Sequence, residues 1–333
     1  MKEFVFALMS INLQLFAGAP NTNVTTDSGL SVENKTHYDM TLIDEAQANL
    51  VHDQFGQKRP IPKNGGKKIE FRKFASLPKA LTPLTEGVTP DGKKLSASSI
   101  EAEVAQYGDY VTLSDVLDLT TIDPIVVEAT KIIGRQAGLT LDTITRNILH
   151  SGTNVYYAPK ADGTVIESRA TLDATCKLTV DVVKRVAAIL KKNNAPKING
   201  DYVAIIHPFA AYDIMSDPEW KYPHQYQDTS NIYEGEIGKI AGVRFVETSE
   251  AKIYEGGVFG TLFLADGAYG VTEITGGGLE TIIKQLGSAG AADPLNQRSS
   301  VGWKAIKTAE ILVDAYMIRV EHKSAFSDEA EAN

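Results

Sequence analysis

Residues 123–152 read D-P-I-V-V-E-A-T-K-I-I-G-R-Q-A-G-L-T-L-D-T-I-T-R-N-I-L-H-S-G. Asp123 suits an N-cap, and Pro124 sits where the first helical residue belongs. Ile125, Ala129, Ile132, Ile133, Ala137, Leu141, Ile144 and Ile148 then recur every three or four residues, which predicts one long amphipathic helix with these residues as its core face. Ser151-Gly152 ends it. Roughly 27 residues at a rise of 1.5 Å give a rod of about 40 Å, well above the usual helix length. Gly134 and Gly138 each weaken it by about 1 kcal/mol relative to alanine, so packing must hold it.

Upstream of this rod the pattern turns extended. Residues 69–74 and 99–114 predict two strands, the second carrying Ile100, Ala102, Val104, Tyr107, Tyr110, Val111 and Leu113. Between them lie 76–98, with Pro78, Pro83, Pro90, Gly87 and Gly92 and no period of their own. A structureless connection of this length is foreign to a compact domain. It fits a hairpin that projects from the body and finds its partners on another subunit.

Downstream, Thr179 caps a helix through Val182, Val183, Val186, Ala187 and Leu190 that ends in Lys191 and Lys192. Strands are expected at 202–206, 239–248, 258–264, 268–274, 279–284, 301–306 and 310–321, with a short helix after His207-Pro208 and an acidic frayed tail at 327–333. Helices and strands are grouped rather than alternating, so the fold class is α+β. Before the rod, 31–55 reads as partly helical. Residues 1–20 imitate a secretory signal poorly, because Glu3 spoils the basic start and Ser10, Asn12 and Gln14 interrupt the apolar run; the ordinary reading is an arm lying against another surface. No segment reaches the ~18 apolar residues of a membrane span.

The 333 residues carry 33 Lys and Arg against 42 Asp and Glu, net −9, which argues against a uniformly basic nucleic-acid binder. The charge is uneven. Lys58, Arg59, Lys63, Lys67, Lys68, Arg72 and Lys73 face only one acid, Glu70, so a +6 strip on the projecting segment is set against −15 elsewhere. Such a strip meets an acidic surface or a nucleic-acid backbone, and contact between identical subunits is the favoured reading. One cysteine, Cys176, forbids an intrachain disulfide and suits a reducing compartment; it reads as a small buried apolar group.

Catalytic patterns are weak. Residues 87–94, G-V-T-P-D-G-K-K, nearly match a phosphate-binding loop but lack its final hydroxyl and lead into a strand. His207 at a strand end is the one candidate base, the ordinary reading being an imidazole bonded to a nearby carbonyl. No pair of histidines has zinc-protease spacing, and Gly276-Gly277-Gly278 reads as a turn. No cofactor or metal is expected.

Several segments together carry a resemblance: I-N-L-Q-L-F-A (11–17), G-Q-K-R-P-I-P-K-N-G-G-K-K-I-E-F-R-K-F (56–74), L-T-P-L-T-E-G-V-T-P-D-G (81–92), Q-Y-G-D-Y-V-T-L-S-D (106–115), A-I-I-H-P (204–208), E-G-E-I-G-K-I-A-G-V-R-F-V-E-T (234–248) and M-I-R-V-E (317–321). The chain resembles the major capsid proteins of tailed bacteriophages with the Hong Kong 97 type fold. The resemblance implies an N-terminal arm (1–55), an extended loop (56–114), a peripheral domain (115–200) with spine helix 123–150, an axial domain (201–290), peripheral return strands (291–326) and a tail (327–333). Glu86 joins the basic residues as a candidate inter-subunit contact. The implied function is self-assembly as hexamers and pentamers into an icosahedral head around double-stranded DNA, in the virion after assembly in host cytoplasm, without catalysis. Implied partners are further copies, scaffolding, portal and decoration proteins, and DNA contacted without sequence readout. Two alternatives remain: a non-viral compartment shell enclosing cargo, and a soluble enzyme using His207.

Overall fold

The computed structural model describes residues 42, 50–62, 64, 66–74, 77–84, 86–89, 91–120, 125–220, 238–273, 278–288 and 293–333. The expected arm, most of the 31–55 helix, the caps Asp123 and Pro124, Lys63 and the turn at 276–277 lie outside them.

Among the described residues, two sheets and four complete α-helices build the body. The first sheet centres on β13 (Arg298–Ile311), a strand of 14 residues. β4 (Ala105–Ser114) pairs antiparallel along it from Arg298 to Lys307. β11 (Tyr269–Glu273) and β12 (Glu280–Lys284) pair with it end to end, and β1 (Gln57–Lys58) adds in parallel to β11. The second sheet runs β5 (Val155–Tyr157), β14 (Met317–His322), β10 (Val258–Leu264), β6 (Tyr202–Ile206), β8 (Val243–Glu247) and β7 (Lys239–Ile240), with β9 (Ile253–Tyr254) also on β10. β6–β8 and β14–β5 are parallel and the other pairs antiparallel, so the sheet is mixed and the class is α+β. β2 (Lys68–Phe74) and β3 (Ala97–Glu103) form a separate two-stranded ribbon.

The helices are α1 (Asp115–Thr120), α2 (Ile125–Leu149), α3 (Val180–Lys192) and α4 (Pro208–Ser216). The Thr179 hydroxyl accepts from Val182 N, as a cap should. α3 and α4 bury Val183, Val186, Leu190, Ala210 and Ile214 against Tyr202, Ala204, Ile206, Phe263 and Val320, and Cys176 lies in the same core. β6 is buried throughout, which is why it reads as an unbroken apolar run. The opposite face of this sheet, with Ile205, Leu262, Leu264 and Met317, packs against Leu149 and Tyr269. α2 lies on the first sheet, with Ile133, Ala137 and Leu141 against Val301, Trp303 and Ala305.

Four expectations need correction. The α2 stripe is rotated: Ile133, Ala137 and Leu141 are buried, Ile125, Ala129, Ile144 and Ile148 are half-buried, and Ile132 is 65% exposed. The true inner face is filled by Thr130, Gly134, Gly138, Asp142, Thr145, Arg146 and Leu149. Small residues let the helix sit close, and the polar ones have partners the apolar period cannot reveal. Secondly, 99–114 is two strands. Val104 is buried where the chain leaves β2 for β13, and its N–H donates to Lys67 O at 3.0 Å. Thirdly, 298–311 is one strand with a break at 312–316. Lys307 occupies an inward position of the alternation, and its ammonium is taken by Asp53 and Leu141 O. Fourthly, the tail is tied down: Asn333 N donates to Ile253 O (3.2 Å), its Oδ1 accepts from Ile253 N (2.9 Å), and its Nδ2 donates to Ala251 O (3.2 Å).

The sheets also group segments differently from the expected domain limits. β5 and β14, expected in the peripheral part, pair into the sheet of β6, β8 and β10. β11 and β12, expected in the axial part, pair with β13.

Candidate assembly surfaces

The ribbon of β2 and β3 carries the candidate site. Its register runs from Lys68 opposite Glu103 to Phe74 opposite Ala97. Beyond it, every described residue from 77 to 99 is exposed, including Leu81 at 81% and Leu84 at 78%. A two-stranded ribbon is marginal by itself. Its base is held by the body: Phe71 and Ala102 are buried, the Arg59 guanidinium stacks over the Phe71 ring, and Phe71 lies so close to Gly270 that a Cβ there would stand 2.8 Å from it.

The chain entering the ribbon is knotted onto α2. Asp142, wholly buried, accepts from Val51 N (2.8 Å), His52 N (2.7 Å) and the His52 imidazole (2.6 Å). One turn along, Thr145 Oγ1 donates to Asp53 at 2.6 Å, and Lys307 pairs with the same carboxylate. Tyr269 OH donates to His52 O, and burial next to Asp53 pushes that phenol well above its usual range. A fully buried Asp–His contact stands only because its remaining acceptor sites are filled by backbone N–H groups. Sequence reading missed these residues. The signal available was an aspartate and an arginine on the buried side of a helix.

Of the predicted contact residues, Lys58, Arg59, Lys67, Lys68, Arg72 and Glu86 are exposed; the Lys73 backbone is in β2 and Lys63 is outside the described residues. The strip is less isolated than its sequence suggested. Lys68 lies 3.4 Å from Glu101 and Arg72 3.6 Å from Glu70, and β3 sets Glu101 and Glu103 beside β2. Across 56–114 there are ten Lys and Arg against six Asp and Glu. Such exposed pairs are worth below about 1 kcal/mol. They leave the ribbon basic and free to exchange partners.

The catalytic candidates are absorbed by structure. His207 is the N-cap of α4, its Nδ1 accepting from Phe209 N at 3.1 Å, with the ring between Phe209 and Phe259. Burial lowers its pKa. The described part of 87–94 is exposed loop leading to β3, and Lys93 Nζ donates to Pro78 O. Among the described residues no helix is long and apolar enough to cross a membrane.

Comparison with known proteins identifies the fold and the family. The chain is similar in fold to the capsid protein of cyanophage P-SCSP1u (TM-score 0.64, 13% identity, covering 83% of this chain and 89% of that one). It is likewise similar to the capsid protein of cyanophage Pam1 (0.64, 13%, 98% and 100%) and to that of Ralstonia phage GP4 (0.61, 15%, 82% and 88%). No curated protein sequence matches. A family model described as phage capsid protein matches residues 97–317, well over half of the chain, from the return strand of the ribbon to the first residue of β14. With that model matched over most of its length and its fold shared with those capsid proteins, the chain belongs to the phage capsid protein family.

Proposed function

We propose that this phage capsid protein is the major subunit of an icosahedral head, assembling as hexamers and pentamers around double-stranded DNA, with no catalytic role of its own. The observation that carries the reading is the basic ribbon, whose outer stretch, with exposed Leu81 and Leu84, is covered by nothing within the described residues. A limb whose outer part buries nothing at home is stable in function only when it buries its apolar groups on another copy. Flexible limbs also let one sequence serve six-fold and five-fold surroundings.

In this reading the fold is of the Hong Kong 97 type, α2 is its spine helix and 63–104 its extended loop. The peripheral domain is the first sheet with α2 (50–62, 105–150 and 269–311), and the axial domain is the second sheet with α3 and α4 (155–264 and 317–322). The contact residues are Lys58, Arg59, Lys63, Lys67, Lys68, Arg72, Lys73 and Glu86. Scaffolding, portal and decoration proteins and packaged DNA are the further partners, and assembly takes place in the host cytoplasm. The family match favours a phage head over a cargo compartment.

Electron microscopy of the purified protein, alone and co-expressed with its scaffold, tests this. Closed particles or capsomers are expected; a strict monomer at high concentration under both conditions refutes it.

A further inference from the structure

β4 pairs along its whole length with β13 and, among the described residues, with nothing on its other edge. That edge is ten residues of A-Q-Y-G-D-Y-V-T-L-S with no proline and no cation. Proteins blunt such edges or cover them, because a row of unpaired N–H and C=O groups recruits any available strand. Its single charge, Asp109, is held by Gln136 Nε2 on α2 at 2.6 Å.

The same contact locates a groove. Tyr107, Asp109, Val111 and Leu113 share the face of β4 turned to α2, since Tyr107 packs in the core beneath the helix and Leu113 is buried. Gln136 reaches Asp109, so Ile132, one turn before it on the same side of α2, overhangs this edge. Ile132 and Val111 are both exposed. The residue that broke the predicted core stripe therefore roofs an open strand edge.

One segment outside the described residues has the chemistry to fill it. No charged residue occurs from Phe4 to Thr26, and within that stretch Ile11, Leu13 and Leu15 alternate with Asn12 and Gln14, a period of two with one apolar side. We propose that Ile11–Leu15 of a second copy adds as a strand to the open edge of β4, its apolar side chains packing under Ile132 and against Val111. The donor is a second copy because the shell reading sets copies side by side; Leu42 lies in the core beside Ile133 and Ala137, and the chain from there back to Leu15 spans up to about 90 Å extended, enough to reach a neighbour. Backbone pairing supplies affinity without side-chain readout, which suits a contact repeated at slightly different angles. The inference rests on the shell reading only in requiring a second copy.

Disulfide trapping in assembled particles tests it. Directly opposed antiparallel residues lie about 4.5–5.5 Å apart at Cα, within disulfide reach. Val111→Cys is combined in turn with Ile11→Cys, Leu13→Cys and Leu15→Cys, and with Asn12→Cys and Gln14→Cys as opposite-face controls; the natural Cys176 is buried. An inter-subunit ladder on non-reducing gels is expected for at least one odd position and for neither control. No ladder at any odd position, equal ladders at the controls, or only a faster-migrating intramolecular species overturns the proposal while leaving the shell reading intact. Failure of the wild type to form particles refutes the shell reading instead. Independently of the arm, Ile132→Lys should keep the wild-type melting temperature and lower particle yield at least tenfold; normal yield overturns the role of the groove.

Discussion

Acid should loosen this subunit through His322 before its ordinary carboxylates titrate. The imidazole sits on β14 with no solvent exposure, Nδ1 against Lys323 O at 2.9 Å and Nε2 against Thr261 Oγ1 at 2.9 Å, stacked on Phe259. The Lys323 carbonyl can only accept, so Nδ1 carries the proton and Nε2 accepts from the threonine hydroxyl. Burial drives the pKa from 6.5 down to about 4, against the smaller opposing pull of the Lys323 carbonyl and Asp213. Because the folded pKa is depressed below the unfolded one, the unfolded chain binds the proton first as pH falls. The stability present above pH 6.5 is therefore lost on the way to pH 4. Integrating the linkage relation from about pH 8 to pH 5 gives a loss of about 2 kcal/mol from this residue. His150, buried and surrounded by Arg319, Arg146, Lys252 and His52, is shifted in the same direction, as is His207. The assay is urea unfolding of the unassembled subunit at a series of pH values, wild type against His322→Gln, with the His322 ring titrated by NMR. The variant should lose about 2 kcal/mol less over that range. Parallel stability–pH curves for the two proteins, or a ring that titrates above pH 6 in the native state, would refute the reasoning.

Other perturbations read the remaining parts of the argument. Gly270→Val forces Phe71 from its seat; the body should still melt cooperatively, within about 1–3 kcal/mol of wild type, while the re-aimed ribbon abolishes particles by electron microscopy. Asp142→Ala strips the acceptor from two backbone N–H groups and a buried imidazole, and chemical denaturation should register a loss of about 3–5 kcal/mol. Lys67→Glu with Arg72→Glu should leave circular dichroism and melting unchanged but block assembly, and normal particles from that double variant would exclude the ribbon charges as a contact. Ile133→Asp places an unpaired charge in the core and should cost more than about 4 kcal/mol, checked by loss of a cooperative melt.

The sequence by itself determined which elements form. The period of α2, the Thr179 cap, the unbroken apolar run of β6 and the proline-punctuated stretch between β2 and β3 are local signals, and local sterics and hydrogen bonding enforce them. The long unpatterned connection also announced a projecting limb, because no compact body could use it. What the tertiary structure alone decided is which face of each element is buried and which segments share a sheet. Nothing local marks Asp142, Arg146 and Lys307 for burial, since the partners that take them, His52, Glu250 and Asp53, arrive from distant parts of the chain. Ile132 read as core until the helix seated on its glycines and turned that side over the edge of β4. The division of β5, β11, β12 and β14 between two sheets follows from pairings separated by tens to hundreds of residues, and nothing in a single strand's alternation names its partner.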